Sequence, residues 1–210
     1  MIERSVFEQV TTRLARAAEQ IHVGLPSDEA TRMGPLQNRR QFEQVTRMIE
    51  VAEAQGARVL TGGKRPEGLP DDAQGYFIAP TVLVDVTPDM ETYRDEIFGP
   101  VLQIVSAENF EEAVKLPSDH QYGNGVAIFT RNGHAAREFA NRVNVGMIGV
   151  NVPIPVPMAF FSFGGWKSSL FGDLHMHGPD GVRFYTRTKV VTTRWPDRQD
   201  AVSLSMPTMK

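Results

Sequence analysis

Between residues 144 and 167 the chain reads Asn-Val-Gly-Met-Ile-Gly-Val-Asn-Val-Pro-Ile-Pro-Val-Pro-Met-Ala-Phe-Phe-Ser-Phe-Gly-Gly-Trp-Lys, and few folds accept such a run. Its first part is apolar and punctuated by small residues, the pattern of a buried strand. Prolines at 153, 155 and 157 then forbid a helix and hold the residues before them extended. Phe160, Phe161, Phe163 and Trp166 follow within ten residues, around the Gly164-Gly165 turn. A buried strand that empties into a stiff, aromatic-lined loop is how an α/β protein builds one wall of a small-molecule pocket.

The rest of the chain supplies the matching alternation of helices and strands. Val6, Val10, Leu14, Ala18 and Ile21 recur at helical spacing, which predicts a helix over 2–21. Phe42, Val45, Met48, Ile49 and Ala52 mark a second helix over 39–55, stopped by Gly56. Strands are expected at 57–60, before the Gly62-Gly63 turn, and at 76–84, 101–105, 125–129 and 147–150. Shorter helices are expected at 109–115 and 135–143. Buried strands separated by helices imply a mainly parallel sheet with right-handed crossovers, hence an α/β fold. The final segment, 182–193, nearly alternates charged with apolar or aromatic residues and reads as a half-exposed strand seeking a partner sheet.

Composition narrows the chemistry more than the architecture. A net charge of -3 argues against a dedicated nucleic-acid binder. The 210 residues include no cysteine, so they offer no disulfide framework, no thiolate zinc site and no thiol nucleophile. No apolar run approaches a membrane span and no secretory signal opens the sequence, so a cytoplasmic protein is expected.

Four motifs could carry chemistry. In Asp95-Glu96-Ile97-Phe98-Gly99-Pro100 the glycine and proline fix a sharp turn. A carboxylate held there can accept paired hydrogen bonds from a vicinal diol, and a ring can pack on a flat heteroaromatic ligand. On composition alone, a turn with one solvated acid and one core phenylalanine is the plainer reading. Tyr122-Gly123-Asn124-Gly125 reads as a tight turn, because no second glycine-rich phosphate fingerprint accompanies it. Gly164-Gly165-Trp166-Lys167 lacks the spacing of a phosphate loop, leaving Lys167 structural or a weak anion contact. His175 and His177 lack an evident third ligand, and no metal site is expected.

Three of these pieces fall into one pattern. Glu96-Ile-Phe98-Gly-Pro100, Ser162-Phe163-Gly-Gly165 and Phe184-Tyr-Thr-x-x-Lys189 resemble, in order and spacing, the C-terminal part of NAD-dependent aldehyde dehydrogenases. The proline-rich run and the ending Met206-Pro-Thr-Met209 resemble the CoA-acylating methylmalonate-semialdehyde branch. The resemblance implies a partial catalytic domain over 1–180 and an oligomerisation strand and tail over 181–210.

It also implies roles residue by residue. Glu96 would bond the nicotinamide-side ribose hydroxyls of NAD, Phe98 would line the nicotinamide pocket, and Gln41 and Gln44 would reach the same ribose. Asn151, Pro153, Phe161 and Phe163 would line the semialdehyde pocket, and the tail would join subunits into a homo-oligomer. In such enzymes a cysteine thiolate attacks the semialdehyde, hydride passes to NAD and CoA accepts the acyl group. The resemblance places that cysteine and the dinucleotide-binding unit upstream of Ile2. The expectation is therefore part of an enzyme making propionyl-CoA or acetyl-CoA, inactive alone, or else a non-catalytic binding or assembly module of the same fold.

Overall fold

The computed structural model describes residues 1–69, 74–193 and 195. At its centre is strand β3 (Thr81–Val84), all four residues of which are buried. It lies between β2 (Arg58–Thr61), antiparallel, and β4 (Val101–Gln103), parallel. Successive side chains of a strand point to opposite faces, and here the alternation sorts two cores. Val82 and Val84 pack with Phe7, Leu14 and Ala18 of helix α1 (Phe7–Glu19). Leu83 points the other way and packs with Val45, Met48, Ile49 and Ala52 of helix α2 (Arg39–Ala54). The result is a three-layer α/β/α unit. Each fully buried aliphatic side chain in it contributes roughly 1.5–3 kcal/mol.

Helix α2 begins and ends where its sequence says it must. The Asn38 side chain accepts from the Gln41 N–H at 2.9 Å, satisfying one orphan donor of the first turn. At the far end Gly56 takes φ +106°, which a side chain would resist.

A second unit holds β7 (Gly125–Ile128) and β8 (Met147–Val150), parallel and joined through helix α5 (Gly133–Arg142). Asn132 caps α5 by accepting from the His134 and Ala135 N–H groups. Beyond the single-turn helix α3 (Glu91–Arg94), helix α4 (Phe110–Asp119) packs Val114 against Phe139, Val143 and Val145 there. Asn109 caps α4, accepting from the Glu112 N–H at 3.0 Å, while Glu112 Oε2 accepts from the Glu108 N–H. This reciprocal start resembles a capping box, and the helix runs to Asp119, four residues past the expected 115. A short antiparallel pair, β6 (Tyr122–Gly123) with β9 (Trp166–Lys167), completes the frame.

Three of the departures from the expected elements change how the chain is laid out. The first helix does not start at Ile2. Ile2–Glu3 form strand β1, parallel to β5 (Ser106–Ala107), and Arg4–Val6 make a 3-10 turn before α1. The Ile2 N–H is taken by the Val105 carbonyl at 2.9 Å, a partner no local pattern announces. The strand expected over 76–84 is cut to its last four residues, because Pro80 has no N–H to give a ladder.

The third departure is the tail. Gly178–Tyr185 form helix α6, with Pro179 in its first turn, where a strand was expected from Val182. Residues 186–193 have no assigned helix or strand and are exposed. A strand needs a ladder partner, and none is recorded for this segment among the described residues. The Met206-Pro-Thr-Met209 motif lies outside the described residues.

Candidate functional site

The turn at residues 96–100 is pressed onto α2. Ile97 is buried and anchors it, while a Cβ added to Gly99 would lie 2.5 Å from Val45 Cγ2, so nothing larger fits. With Ile97 inside, its neighbours Glu96 and Phe98 face out. Phe98 is 75% exposed and sits at φ +52°, a region costly for any residue with a side chain. The core phenylalanine of the plainer reading is thus an outward-facing ring, and Ile97 is the core residue.

Gln41 holds that backbone in place. Its Nε2 donates to the Phe98 carbonyl at 2.8 Å, and its Oε1 accepts from the Gln37 N–H at 3.2 Å. Each end of the amide makes one of these bonds, so Gln41 shapes the turn. Gln44, one turn further along α2, is exposed. The outcome is a carboxylate and an aromatic face presented together on a braced, strained turn.

The proline-rich wall starts from an equally braced residue. Asn151 ends β8 at φ +57°, and its N–H donates to the Ile128 carbonyl. Its side chain continues the pairing: Oδ1 accepts from the Thr130 N–H at 2.9 Å and Nδ2 donates to the Thr130 carbonyl at 3.0 Å. Asn151 therefore acts as one more rung of the β7–β8 ladder and aims the loop that follows. Pro153 is exposed on that loop. Phe161 is half exposed and packs on Phe160 with ring centroids 4.5 Å apart. Phe163 stacks flat on His177, at 4.6 Å and 4° between planes. The structure gathers Phe161 and Phe163 into one aromatic wall and places Glu96 and Phe98 on a separate turn.

Between wall and core lies a close junction that the motifs only hint at. A Cβ on Gly146 would meet the Gly164 carbonyl oxygen at 2.2 Å, and one on Gly165 would meet Asn124 Cα at 3.1 Å. Lys167 is its pillar. Its Nζ donates to the carbonyls of His120, Pro117 and Ser118 at 2.7, 3.1 and 3.2 Å, closing the C-terminal end of α4. Burial pushes the Lys167 ammonium below the usual lysine range, against a smaller opposing pull from the Asp119 carboxylate. Gly123 has no side chain because the lysine stem passes there, its Cε 2.5 Å from where a Cβ would stand.

His120 sits beside this junction. Its Nδ1 accepts from the Tyr122 N–H at 3.1 Å, so its Nε2 carries the proton and donates to the Tyr93 carbonyl at 2.8 Å. Tyr93, with its hydroxyl donating to the Leu116 carbonyl, is raised above the usual tyrosine range by burial and the nearby Asp119 charge. A cleft of about 630 Å³ opens here between Pro88, Tyr93, Leu116 and His120, with Asp95 at the start of the turn motif on its lining. His120 and Tyr93 were not expected from sequence; Lys167 has the structural role that was one of its two readings, and only the glycines at 123, 164 and 165 signal a close approach. Among the described residues no group of three or more acids and histidines could hold a metal, and no helix is long and apolar enough to cross a membrane.

The sequence model of the aldehyde dehydrogenase family matches residues 1–191. The chain belongs to the aldehyde dehydrogenase family. Within it, a malonate-semialdehyde dehydrogenase of Pseudomonas aeruginosa is 45% identical over 206 residues, covering 97% of this chain and 41% of the relative. A second such enzyme, from Oceanobacillus iheyensis, is 41% identical over 194 residues and is covered over 40% of its length.

Solved structures agree. A methylmalonate-semialdehyde dehydrogenase of Sinorhizobium meliloti in complex with NAD superposes with a TM-score of 0.87 at 46% identity, over 94% of this chain and 40% of that one. The corresponding enzyme of Oceanimonas doudoroffii gives 0.85 at 46%, over 91% and 39%. The 210 residues thus span about 40% of the length of the relatives they match.

Proposed function

We propose that these residues are the downstream part of an NAD-dependent, CoA-acylating dehydrogenase acting on malonate or methylmalonate semialdehyde. The observation that carries the reading is the turn at 96–100, where Gln41 and Gly99 hold an exposed carboxylate and an exposed ring side by side. Glu96 suits the paired ribose hydroxyls of NAD, since an ionised carboxylate only accepts and has two oxygens to do so. Phe98, already paying the strain of its outward pose, offers a face to the nicotinamide ring. Gln44 extends the same edge of α2 toward the ribose. NAD, when bound, supplies the hydride acceptor.

The wall supplies the other half of the grip. Asn151 aims the loop, Pro153 stiffens it, and Phe161 and Phe163 present apolar faces to a small acyl group. Loss of the substrate's carboxylate as carbon dioxide, with the remaining acyl group passed to CoA, would give acetyl-CoA or propionyl-CoA. The thiol that such chemistry needs has to come from outside these 210 residues, which hold no cysteine.

Assembly follows from the exposed surface. Val190 and Val191, at 84% and 74% exposure, lie in the tail, and Phe171 and Tyr185 are also exposed. Apolar groups concentrated this way favour burial against another chain, and the tail paired as a strand across two subunits would achieve it. The proposed setting is a cytoplasmic homo-oligomer.

The test is NAD reduction with CoA and semialdehyde, with and without the N-terminal part of a malonate-semialdehyde dehydrogenase. The expected result is no NADH from the 210 residues alone and semialdehyde-dependent NADH from the assembled pair. NADH formation by the 210 residues alone, or an assembled pair inert toward both semialdehydes, would overturn the proposal.

A further inference from the structure

The aromatic wall has few internal contacts to fix it. Across 152–163 the backbone bond made within the loop is Phe161 N–H to the Met158 carbonyl at 3.0 Å, and no strand is assigned there. Phe160 and Phe161 are both more than half exposed. Prolines restrict how the loop bends, but they do not set where its rings stand. That has to come from another part of the chain.

It comes from residues 175–180. The His177 ring lies flat on Phe163 at 4.6 Å. Helix α6 has no side-chain cap from its own N-cap residue, His177; instead Ser162 Oγ accepts from the Asp180 N–H at 3.2 Å. The Gly178 N–H donates to the Ala159 carbonyl at 3.2 Å, and Gly178, at φ +63°, lies so close that a Cβ would stand 2.4 Å from the Ser162 nitrogen. His175 covers Gly164, where a Cβ would stand 2.5 Å from its Cδ2. Its Nδ1 is 3.5 Å from Asp180 Oδ2, and Arg183 is 3.7 Å from the other Asp180 oxygen. One backbone bond, one backbone-to-hydroxyl bond, one ring stack and the His175 contact at Gly164 thus reach wall residues between 159 and 164.

We propose that residues 175–180 form a clasp and that His177 and Asp180 are positioning residues, acting through Phe163 and Ser162 on the acyl group. This rests on the semialdehyde reading above and deepens it. The wall would hold its shape before substrate arrives, so that binding energy is not spent on ordering it. His177 matters through its ring face, not its charge, so phenylalanine should replace it and alanine should not.

Two measurements separate the clasp from the reading it serves. The first uses the 210-residue chain in solution by NMR. The unsubstituted chain should show contacts between the Phe163 and His177 ring protons. In His177→Ala the Gly178 and Asp180 amides should exchange about tenfold faster while the β3 amides are unchanged, and His177→Phe should restore them. Absent ring contacts, or unchanged exchange in His177→Ala, would overturn the clasp. The second uses the chain assembled with an N-terminal half. His177→Ala should raise KM for the semialdehyde about fivefold with kcat within about twofold, and His177→Phe should bring it back, the signature of lost ground-state positioning. An unchanged KM despite a loosened clasp would overturn the positioning role. If the unsubstituted assembly turns over no semialdehyde, the parent reading fails, while the NMR measurement still decides the clasp.

Discussion

Replacing Lys167 with methionine keeps the length and most of the volume of the side chain but removes its three donors. The ammonium has three protons and three carbonyls to meet them, those of Pro117, Ser118 and His120. Hydrogen bonds to a charged group are worth about 1.5–3 kcal/mol each when neither side has an alternative. Two effects reduce that sum. Burial already penalises the ammonium, as its lowered pKa records, and the helix-end carbonyls can recover water once the lysine is gone. The net cost should be about 2 kcal/mol, which for a domain of this size lowers Tm by about 4–8 °C. Urea unfolding followed by circular dichroism measures it, with Lys115→Met as the control. Lys115 pairs with Asp119 on the exposed face of α4, and losing such a pair should cost under about 0.5 kcal/mol. If Lys167→Met costs no more than the control, the lysine is not the pillar of the junction and the argument for it fails.

Other outcomes follow from the same contacts. Met48→Ala removes a fully buried side chain between α2 and β3 and should cost about 2–5 kcal/mol in urea unfolding. Gly146→Ala drives a methyl group onto the Gly164 carbonyl oxygen, and because both sides are backbone the chain should lose about 2 kcal/mol or more, read as a lower thermal midpoint. Glu111 is held below the usual glutamate range by its hydrogen bond from Arg142, so its contribution is present at neutral pH and lost as pH falls through the folded-state value. The stability profiles of the unsubstituted chain and Glu111→Gln should therefore differ at neutral pH and converge in acid below the ordinary glutamate range; a constant offset would contradict the ion pair.

What could be read from the chain in advance has a physical pattern. Asn38, Asn109 and Asn132 each accept from a backbone N–H two or three residues on, so three helix starts are set by local chemistry and fall within two residues of the expected ones. The apolar run ending in Val82-Leu83-Val84 betrayed a strand covered on both faces. The misses involve distant partners or patterns with two solutions. Strand β1 exists because Ile2 meets a segment more than a hundred residues away. Lys167 caps a helix that ended some fifty residues earlier, and Gln41 braces a turn 57 residues further along the chain. At Val182-Arg183-Phe184-Tyr185 the near-alternation suited a strand, but without a recorded ladder partner the backbone closes its hydrogen bonds within a helix.

The site divides along the same line. Glu96, Phe98, Phe161 and Phe163 were singled out because the residues carry a family pattern, and the structure gives each an exposed or half-exposed pose. How they are held was not legible: the amide of Gln41, the pair of hydrogen bonds between Asn151 and Thr130, and the stack of His177 on Phe163 all join residues that are not neighbours in sequence.

The most direct test is to identify the product. The 210-residue chain, assembled with the N-terminal part of a malonate-semialdehyde dehydrogenase, should convert malonate or methylmalonate semialdehyde, NAD and CoA into acetyl-CoA or propionyl-CoA, detected by mass spectrometry, and Glu96→Gln should weaken NAD binding without changing that product. An assembly that releases only the free acid, or whose NAD reduction is indifferent to CoA, would contradict the account.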